Sequence, residues 1–413
     1  MAQITISCLC GAARQTLTLK ELRGGGGGRP HWPEISLCHC DTCRHLTGML
    51  CTSYTPISST TPPSLTNLER YSSSALVSRY FCATCGCHVF RSKGEAWEVA
   101  TGVITKSPDL DLHGSPAWRH LHVNDTKDGG LAKWLPPAPE IKPTQPSPRG
   151  DTLPASCHCT LISLAITRPN SSSVLPHSNF PDLMLPYCRT AESVVSNPSS
   201  VKWWLQPPPT HTIPVGSQPP IPTTPQNNPI SPQCSPNQDD HPTPDEDFSQ
   251  HRYLAGTCAC RPCRLASGFE IQSWVFIPRG NILIHPPADN SIHSSATADL
   301  PIDKTTSPIP LGFDTISPTL LASYNSSPSA TRHFCPRCGA TVFWRNQARP
   351  DLIDVSTGLL RAPEGSRAET WLEWWTGRVS FSEDARNERT GAAVCWAESL
   401  VKELEGGMVS GSH

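Results

Sequence analysis

Seven cysteines in three spaced groups occur twice along this chain, and cysteine is the side chain best suited to hold zinc or to present a reactive sulfur. Cys8 and Cys10 form a C-x-C, Cys38, Cys40 and Cys43 a C-x-C-x-x-C, and Cys82 and Cys85 a C-x-x-C. The same groups return as Cys157 and Cys159, as Cys258, Cys260 and Cys263, and as Cys335 and Cys338. The likeness runs past the sulfurs. Arg44 and Thr47-Gly48 after the first triplet are mirrored by Arg264 and Ser267-Gly268, and Phe81 and Gly86 around the C-x-x-C by Phe334 and Gly339. Both series then reach a V-x-T-G, at 99–102 and 355–358. Landmarks recurring in one order mark an internal repeat.

Side chains at i and i+2 of a strand share a face, so each C-x-C is expected to present two thiolates side by side. A C-x-x-C brings its pair together through a tight turn. Two such pairs supply the four tetrahedral sulfurs of a structural zinc. Cys8, Cys10, Cys82 and Cys85 are one set, and Cys157, Cys159, Cys335 and Cys338 the other; metal binding would then provide much of the folding stability. The triplets Cys38, Cys40, Cys43 and Cys258, Cys260, Cys263 offer three thiolates each, with His39 or His45 as the neighbouring candidate for a fourth ligand in the first copy. Three protein ligands with an open position are the plan of a catalytic zinc, able to accept a thiolate or polarise an oxygen. A second structural zinc, or a thiol cluster without metal, fits the same spacing.

Disulfides are the rival reading of every pair, weighed against a reducing interior. A redox C-x-x-C is disfavoured because neither one opens a helix after a strand. Arg44 and Arg264 read as surface charges, Thr47-Gly48 and Ser267-Gly268 as turns, and Cys51, Cys87, Cys188, Cys234 and Cys395 as ordinary thiols.

The elements that must position these groups are short. Segments 4–7, 14–19, 88–90, 97–101, 274–277, 281–284 and 351–355 are β-branched or alternating and bounded by Gly or Pro, which predicts a mainly β protein. The best helical stretch is 392–404. At 413 residues the chain is long enough for two domains. The expected division is a first domain at 1–135, a Pro-rich linker at 136–152, a second copy at 153–390 and a tail at 391–413. Cys10 to Cys38 is 28 positions and Cys43 to Cys82 is 39, against 99 and 72 in the second copy, so that copy holds insertions. One, at 206–250, has thirteen prolines and no Lys or Arg, and cannot bury enough apolar surface to offset its chain entropy. The other, at 285–328, is rich in Ser, Thr and Pro and reads as a long loop, as does the Gly24 to Gly28 run.

A net charge of −2 with no basic cluster argues against nucleic acid as a partner. No run of 18 apolar residues could span a bilayer. The N-terminus lacks the pattern of a secretory signal. The expectation is an intracellular, cytoplasmic protein with no membrane partner.

The groups C-x-C-G, C-H-C-x-x-C-R-x-x-[S/T]-G, F-C-x-x-C-G and V-x-T-G resemble the glutathione-dependent formaldehyde-activating enzymes and centromere protein V. The resemblance covers most of 1–135 and, with gaps, 153–390. It implies two tandem zinc-binding β-tent-like domains of small coiled antiparallel sheets, with disordered Pro-rich insertions in the second. It further implies that the C-x-C and C-x-x-C pairs hold a structural Zn2+, while the triplet holds a second zinc where glutathione or its adduct binds. The attributed activity is that of a carbon–sulfur lyase, joining glutathione to formaldehyde. Cys38, Cys40 and Cys43 would be the catalytic ligands. The second copy departs from the pattern, with Thr160 in place of the Gly after the C-x-C and Ala259 in place of His39, so the first copy is expected to be the active one. A non-enzymatic zinc module for protein interaction is the alternative. Trp371, Trp374 and Trp375 are read as β core rather than the wall of a ligand groove.

Overall fold

A computed structural model describes residues 2–20, 35–60, 62–108, 118–137, 150–178, 202–206, 248–286 and 307–411. Most of the Pro-rich linker, the insertion at 206–250, the Gly24 to Gly28 run, Cys188 and Cys234 lie outside the described residues. Within them the protein is mainly β, and each segment expected to be a strand is one.

Four sheets form among the described residues. Gln15–Thr18, Gln3–Ile6 and Ile104–Lys106 make a small antiparallel sheet. A larger one runs Trp118–Leu121, Ile35–Cys38, Thr52–Ile57, Ala96–Ala100, His88–Lys93, Val77–Cys82, Leu68–Ser72, with the Trp118–Leu121 edge parallel to its neighbour. The C-terminal half also has one small and one larger sheet. Thr152–Ser156, Ser163–Thr167, Ile282–Ile284 and Ile309–Pro310 make its small sheet. Its larger sheet orders Arg252–Cys258, Gln272–Pro278, Leu352–Ser356, Thr341–Asn346, Ala330–Phe334 and Ala322–Ser327, with Leu372–Trp374 parallel to Arg252–Cys258. Ile309–Pro310 and Ala322–Ser327 fall in the stretch expected to be a long loop; the second is ordered by pairing along Ala330–Phe334.

A seven-residue helix follows each cysteine-ended strand: α1, Asp41–Thr47, and α2, Arg261–Ser267. The glycines after them, Gly48 and Gly268, take left-handed backbone at φ 82° and 85° and stop the helix. Each helix end then meets the opposite half. The Gly102 N–H donates to Gly268 O, and the Gly358 N–H to Gly48 O, both at 3.0 Å. A Cβ on Gly268 would lie 2.2 Å from the His88 carbonyl oxygen, so only glycine permits the approach.

The halves share one continuous hydrophobic cluster, running from Ile4 to Met408. The stretch 392–404, expected to be helical, lies in a 19-residue helix, α3, Ala392–Ser410, within the C-terminal tail 391–413. Ala393, Trp396, Leu400, Leu404 and Met408 recur at helical spacing and are buried. Trp396 donates to Glu270 of the second half, whereas Glu403 accepts from Trp118 of the first, so α3 joins the two. Trp371 and Trp374 are buried core, as expected. Among the described residues, no helix is long and apolar enough to cross a membrane.

Candidate metal centre

Cys8 and Cys10 lie in the turn between the strands Gln3–Ile6 and Gln15–Thr18, not along a strand as their spacing suggested. The turn is built around sulfur. Ala13 N–H donates to Cys8 Sγ at 3.4 Å, and Gly11 N–H to Cys8 O at 3.1 Å. On the other side, Cys82 O accepts from Gly86 N–H at 2.9 Å, tightening the C-x-x-C turn. The four sulfurs then gather. Cys10 Sγ lies 3.5 Å from both Cys8 Sγ and Cys82 Sγ, and all four of Cys8, Cys10, Cys82 and Cys85 fall within 4.8 Å of one another. Zn–S bonds of about 2.3 Å give a tetrahedron with edges of about 3.8 Å, so the cluster fits zinc. A disulfide, at about 2.05 Å, does not match the 3.5 Å separations.

Cys157, Cys159, Cys335 and Cys338 reproduce this arrangement, with Ile162 N–H to Cys157 Sγ at 3.4 Å and Cys159 Sγ 3.5 Å from both Cys157 and Cys335. Thr160 holds the left-handed turn, φ 57°, that Gly11 occupies at 84° in the first half. The turn is thus retained where the sequence departs from glycine, at the steric cost of a β-branched residue in that region.

The triplet is assembled by the joint between strand and helix. Cys38 ends its strand, Cys40 is the N-cap of α1, and Cys43 sits in the first turn, its N–H donating to Cys40 Sγ at 3.4 Å. Cys38 and Cys40 sulfurs are 3.5 Å apart, and the three cluster within 4.8 Å. Cys258, Cys260 and Cys263 are arranged alike around α2. Among the described residues no fourth His, Cys, Asp or Glu joins either triplet. His39 points away, its Nε2 donating to His120 Nδ1 at 2.9 Å while His120 Nε2 donates to Leu135 O. Burial, then the charges of neighbouring groups, pushes the His39 ring down to about 3, so it stays neutral. His45 is buried against the second half, its carbonyl accepting from His158 N–H. Neither histidine is a fourth ligand.

A residue that the sequence reading passed over completes the site. Arg79, 4% exposed, donates its Nη2 to Cys43 Sγ at 3.2 Å; Arg332, also 4% exposed, donates to Cys263 Sγ at 3.3 Å. Hydrogen bonds from Cys38 and Cys40, and then the Arg79 charge, hold the Cys43 thiol well below its usual range. Zinc with three thiolates has a net charge of −1, which one buried guanidinium neutralises. The signal was present as R-x-F-C, Arg79 to Cys82 and Arg332 to Cys335, just ahead of each C-x-x-C.

The surroundings of the two triplets differ. Trp274, Trp344 and Phe381 pack around Cys258, Cys260 and Cys263. Counted from the cysteines, the first half has Tyr54 and Arg91 at the first two places, and His122 answers to Phe381 as the left-handed residue after the carbonyl that accepts from the backbone N–H of His39 or Ala259. Arg79 and Arg91 both lie over the Tyr54 ring, at 5.2 and 4.6 Å. The first triplet is therefore the polar one. Arg44 and Arg264, expected on the surface, are 4% and 1% exposed; Arg264 reaches across to Gly102 O at 2.6 Å. Cys51 and Cys87 are buried and Cys395 exposed, none of them in a sulfur cluster.

Residues 3–115 match the family described as glutathione-dependent formaldehyde-activating enzyme. A protein of Schizosaccharomyces pombe (strain 972) named as an uncharacterized lyase is 32% identical over 88 residues. That stretch is 20% of this chain and 53% of the yeast protein, so the chain spans about half the length of this relative. No solved structure matches the chain. The matched residues contain both sulfur clusters of the first half and Arg79. The likeness to that family thus rests on residues 3–115.

Proposed function

We propose that this protein is a zinc-dependent carbon–sulfur lyase-like enzyme acting on the adduct of a thiol, glutathione above all, with formaldehyde or another small aldehyde. The observation behind it is the first triplet: three cysteine sulfurs within 4.8 Å, no fourth protein ligand among the described residues, and a buried arginine on one of them. Zinc held by Cys38, Cys40 and Cys43 would supply a Lewis-acidic position open to a fourth ligand. Cys8, Cys10, Cys82 and Cys85 would hold a second, structural zinc. In the forward direction the substrate thiolate adds to the aldehyde carbon: a C–S bond forms, the C=O π bond opens, and the oxygen takes up a proton. Arg79 offsets the negative charge gathered by the thiolates.

The C-terminal half is, in this reading, a tandem copy of the same β-tent-like domain. It keeps both cysteine sets and the arginine, but its triplet lies among aromatics, so we assign the activity to the first half. The cytoplasm, where thiols stay reduced, suits such a site.

Metal analysis of wild type, Cys40→Ser and Cys82→Ser, with glutathione titrated into cobalt-substituted samples, tests the proposal. Four metals per chain are expected, with a thiolate-to-cobalt absorption band that glutathione perturbs in wild type and not in Cys40→Ser. Two metals per chain, with a spectrum indifferent to glutathione, would leave a structural zinc protein and no enzyme.

A further inference from the structure

The face of α1 opposite its cysteines opens on a cleft of about 180 Å3 at the junction of the two halves. Residues at i, i+3 and i+4 share a helix face, so Asp41, Arg44 and His45 line this cleft while Cys40 and Cys43 turn to the metal site. Asp125 and Lys127 close one side of it, and Arg361 of the second half the other. Three cations thus face two carboxylates. The walls are fixed across the junction: Ser366 N–H donates to Thr126 O at 3.0 Å, and Arg367 N–H to the Asp128 carboxylate at 2.6 Å.

Arg44 is the unfinished part. It is 4% exposed, and Nη2 is paired with Asp41, but Nε and Nη1 are buried without any hydrogen-bond partner. The internal repeat shows what such an arginine lacks. Arg264, at the same place on α2, shares the unpartnered Nε but gives Nη1 to the backbone oxygen of Gly102 at 2.6 Å and Nη2 to that of Asn387 at 3.0 Å, so the Nη1 of Arg44 is what lacks an acceptor. Counted from the left-handed residues His122 and Phe381, the counterpart of Asn387 is Asp128, whose backbone carbonyl accepts from Arg367 Nη1 at 2.5 Å instead. Where the second half has Arg361 at the cleft, the first half has Thr105 at the corresponding position, so the cleft has gained a cation as well as lost an acceptor.

We propose that this cleft binds a small oxyanion, a carboxylate or phosphate group, which supplies to Arg44 Nη1 the acceptor oxygen that Arg264 receives from its own chain. Arg361 provides a second guanidinium for the same group, and Lys127 a charge at the rim. The site stands apart from the thiol chemistry and does not depend on it. The anion has two possible sources: a free inorganic ion, or the terminal carboxylate of a peptide ligand.

Calorimetric titration of the full-length, metal-loaded protein with inorganic phosphate and, separately, with S-methylglutathione, which keeps the carboxylates but has no free thiol, decides the matter. At least one is expected to bind with a Kd of about 1 mM or tighter, and at least about tenfold more weakly in Arg44→Gln and Arg361→Gln. Binding of phosphate identifies a free anion, binding of S-methylglutathione alone a peptide carboxylate, and both outcomes support the site. The exposed Arg361 makes Arg361→Gln decisive by itself where Arg44→Gln fails to fold. Absence of saturation by either probe, or equal affinity in folded Arg361→Gln, would overturn the inference.

Discussion

Arg79 and Arg332 put a buried cation against the last sulfur of each triplet, and no comparable side chain donates to the four-cysteine clusters among the described residues, where Ala13 and Ile162 N–H groups do. The difference matches the chemistry of the two kinds of site. A tetrathiolate is closed by its own ligands, whereas a three-thiolate cluster with a free position needs an outside partner to fix its sulfurs and balance their charge. Arg79→Met is therefore expected to weaken metal binding at the first triplet by about 10- to 100-fold and leave the Cys8 cluster unaffected. Competition with a chromophoric chelator should show one metal of the chain released early. Arg79→Lys, retaining the charge but losing the planar fork, should fall between the two. Equal release from wild type and Arg79→Met would mean that the contact is packing alone.

At the scale of elements, the turn after each C-x-C sets how cheaply a cluster forms. Gly11 adopts φ 84° freely, while Thr160 is held at 57°. A non-glycine residue in this region costs about 1–2 kcal/mol, partly offset by the greater unfolded-state freedom of glycine. Thr160→Gly should raise stability by about 1 kcal/mol, read as a higher urea midpoint at unchanged slope, and Gly11→Thr should lower it by a similar amount. The strands and sulfur groups were legible because alternation and spacing are local signals. The strand-to-helix joint was less so: seven residues such as Asp41–Thr47 are too few to show helical periodicity, and their start depends on a cysteine acting as N-cap. His39 was a plausible ligand by spacing alone, and only its hydrogen bond to His120, 81 positions away, removes it. The burial of Arg44 and Arg264 was invisible for the same reason, because the other half covers them.

At the scale of the whole molecule, the two halves interlock rather than stand as beads on a string. Phe81 of the first C-x-x-C lies over Gly339 of the second, where a Cβ would come 2.5 Å from its ring, and Phe334 lies over Gly86 at the same distance. The Tyr71 hydroxyl is hydrogen-bonded to His158 Nδ1, beside the second cluster, at 2.8 Å. Leu9 N–H donates to Leu265 O at 3.0 Å and His158 N–H to His45 O at 2.9 Å, so each C-x-C turn is hydrogen-bonded to the helix of the other half. Finally α3 closes back on the first half, where a Cβ on Gly407 would lie 1.9 Å from Trp134 O. The connection through 138–149 is then not what holds the halves together. A specific protease site placed there and cut in the folded protein should leave one species of full mass in size exclusion at high salt, because the shared apolar core is insensitive to ionic strength. Chelation of the metals should be needed before the fragments separate, since the interlocking turns owe their shape to the sulfur clusters. Two separate fragments straight after cleavage, with metal still bound, would show that each half folds and stands alone.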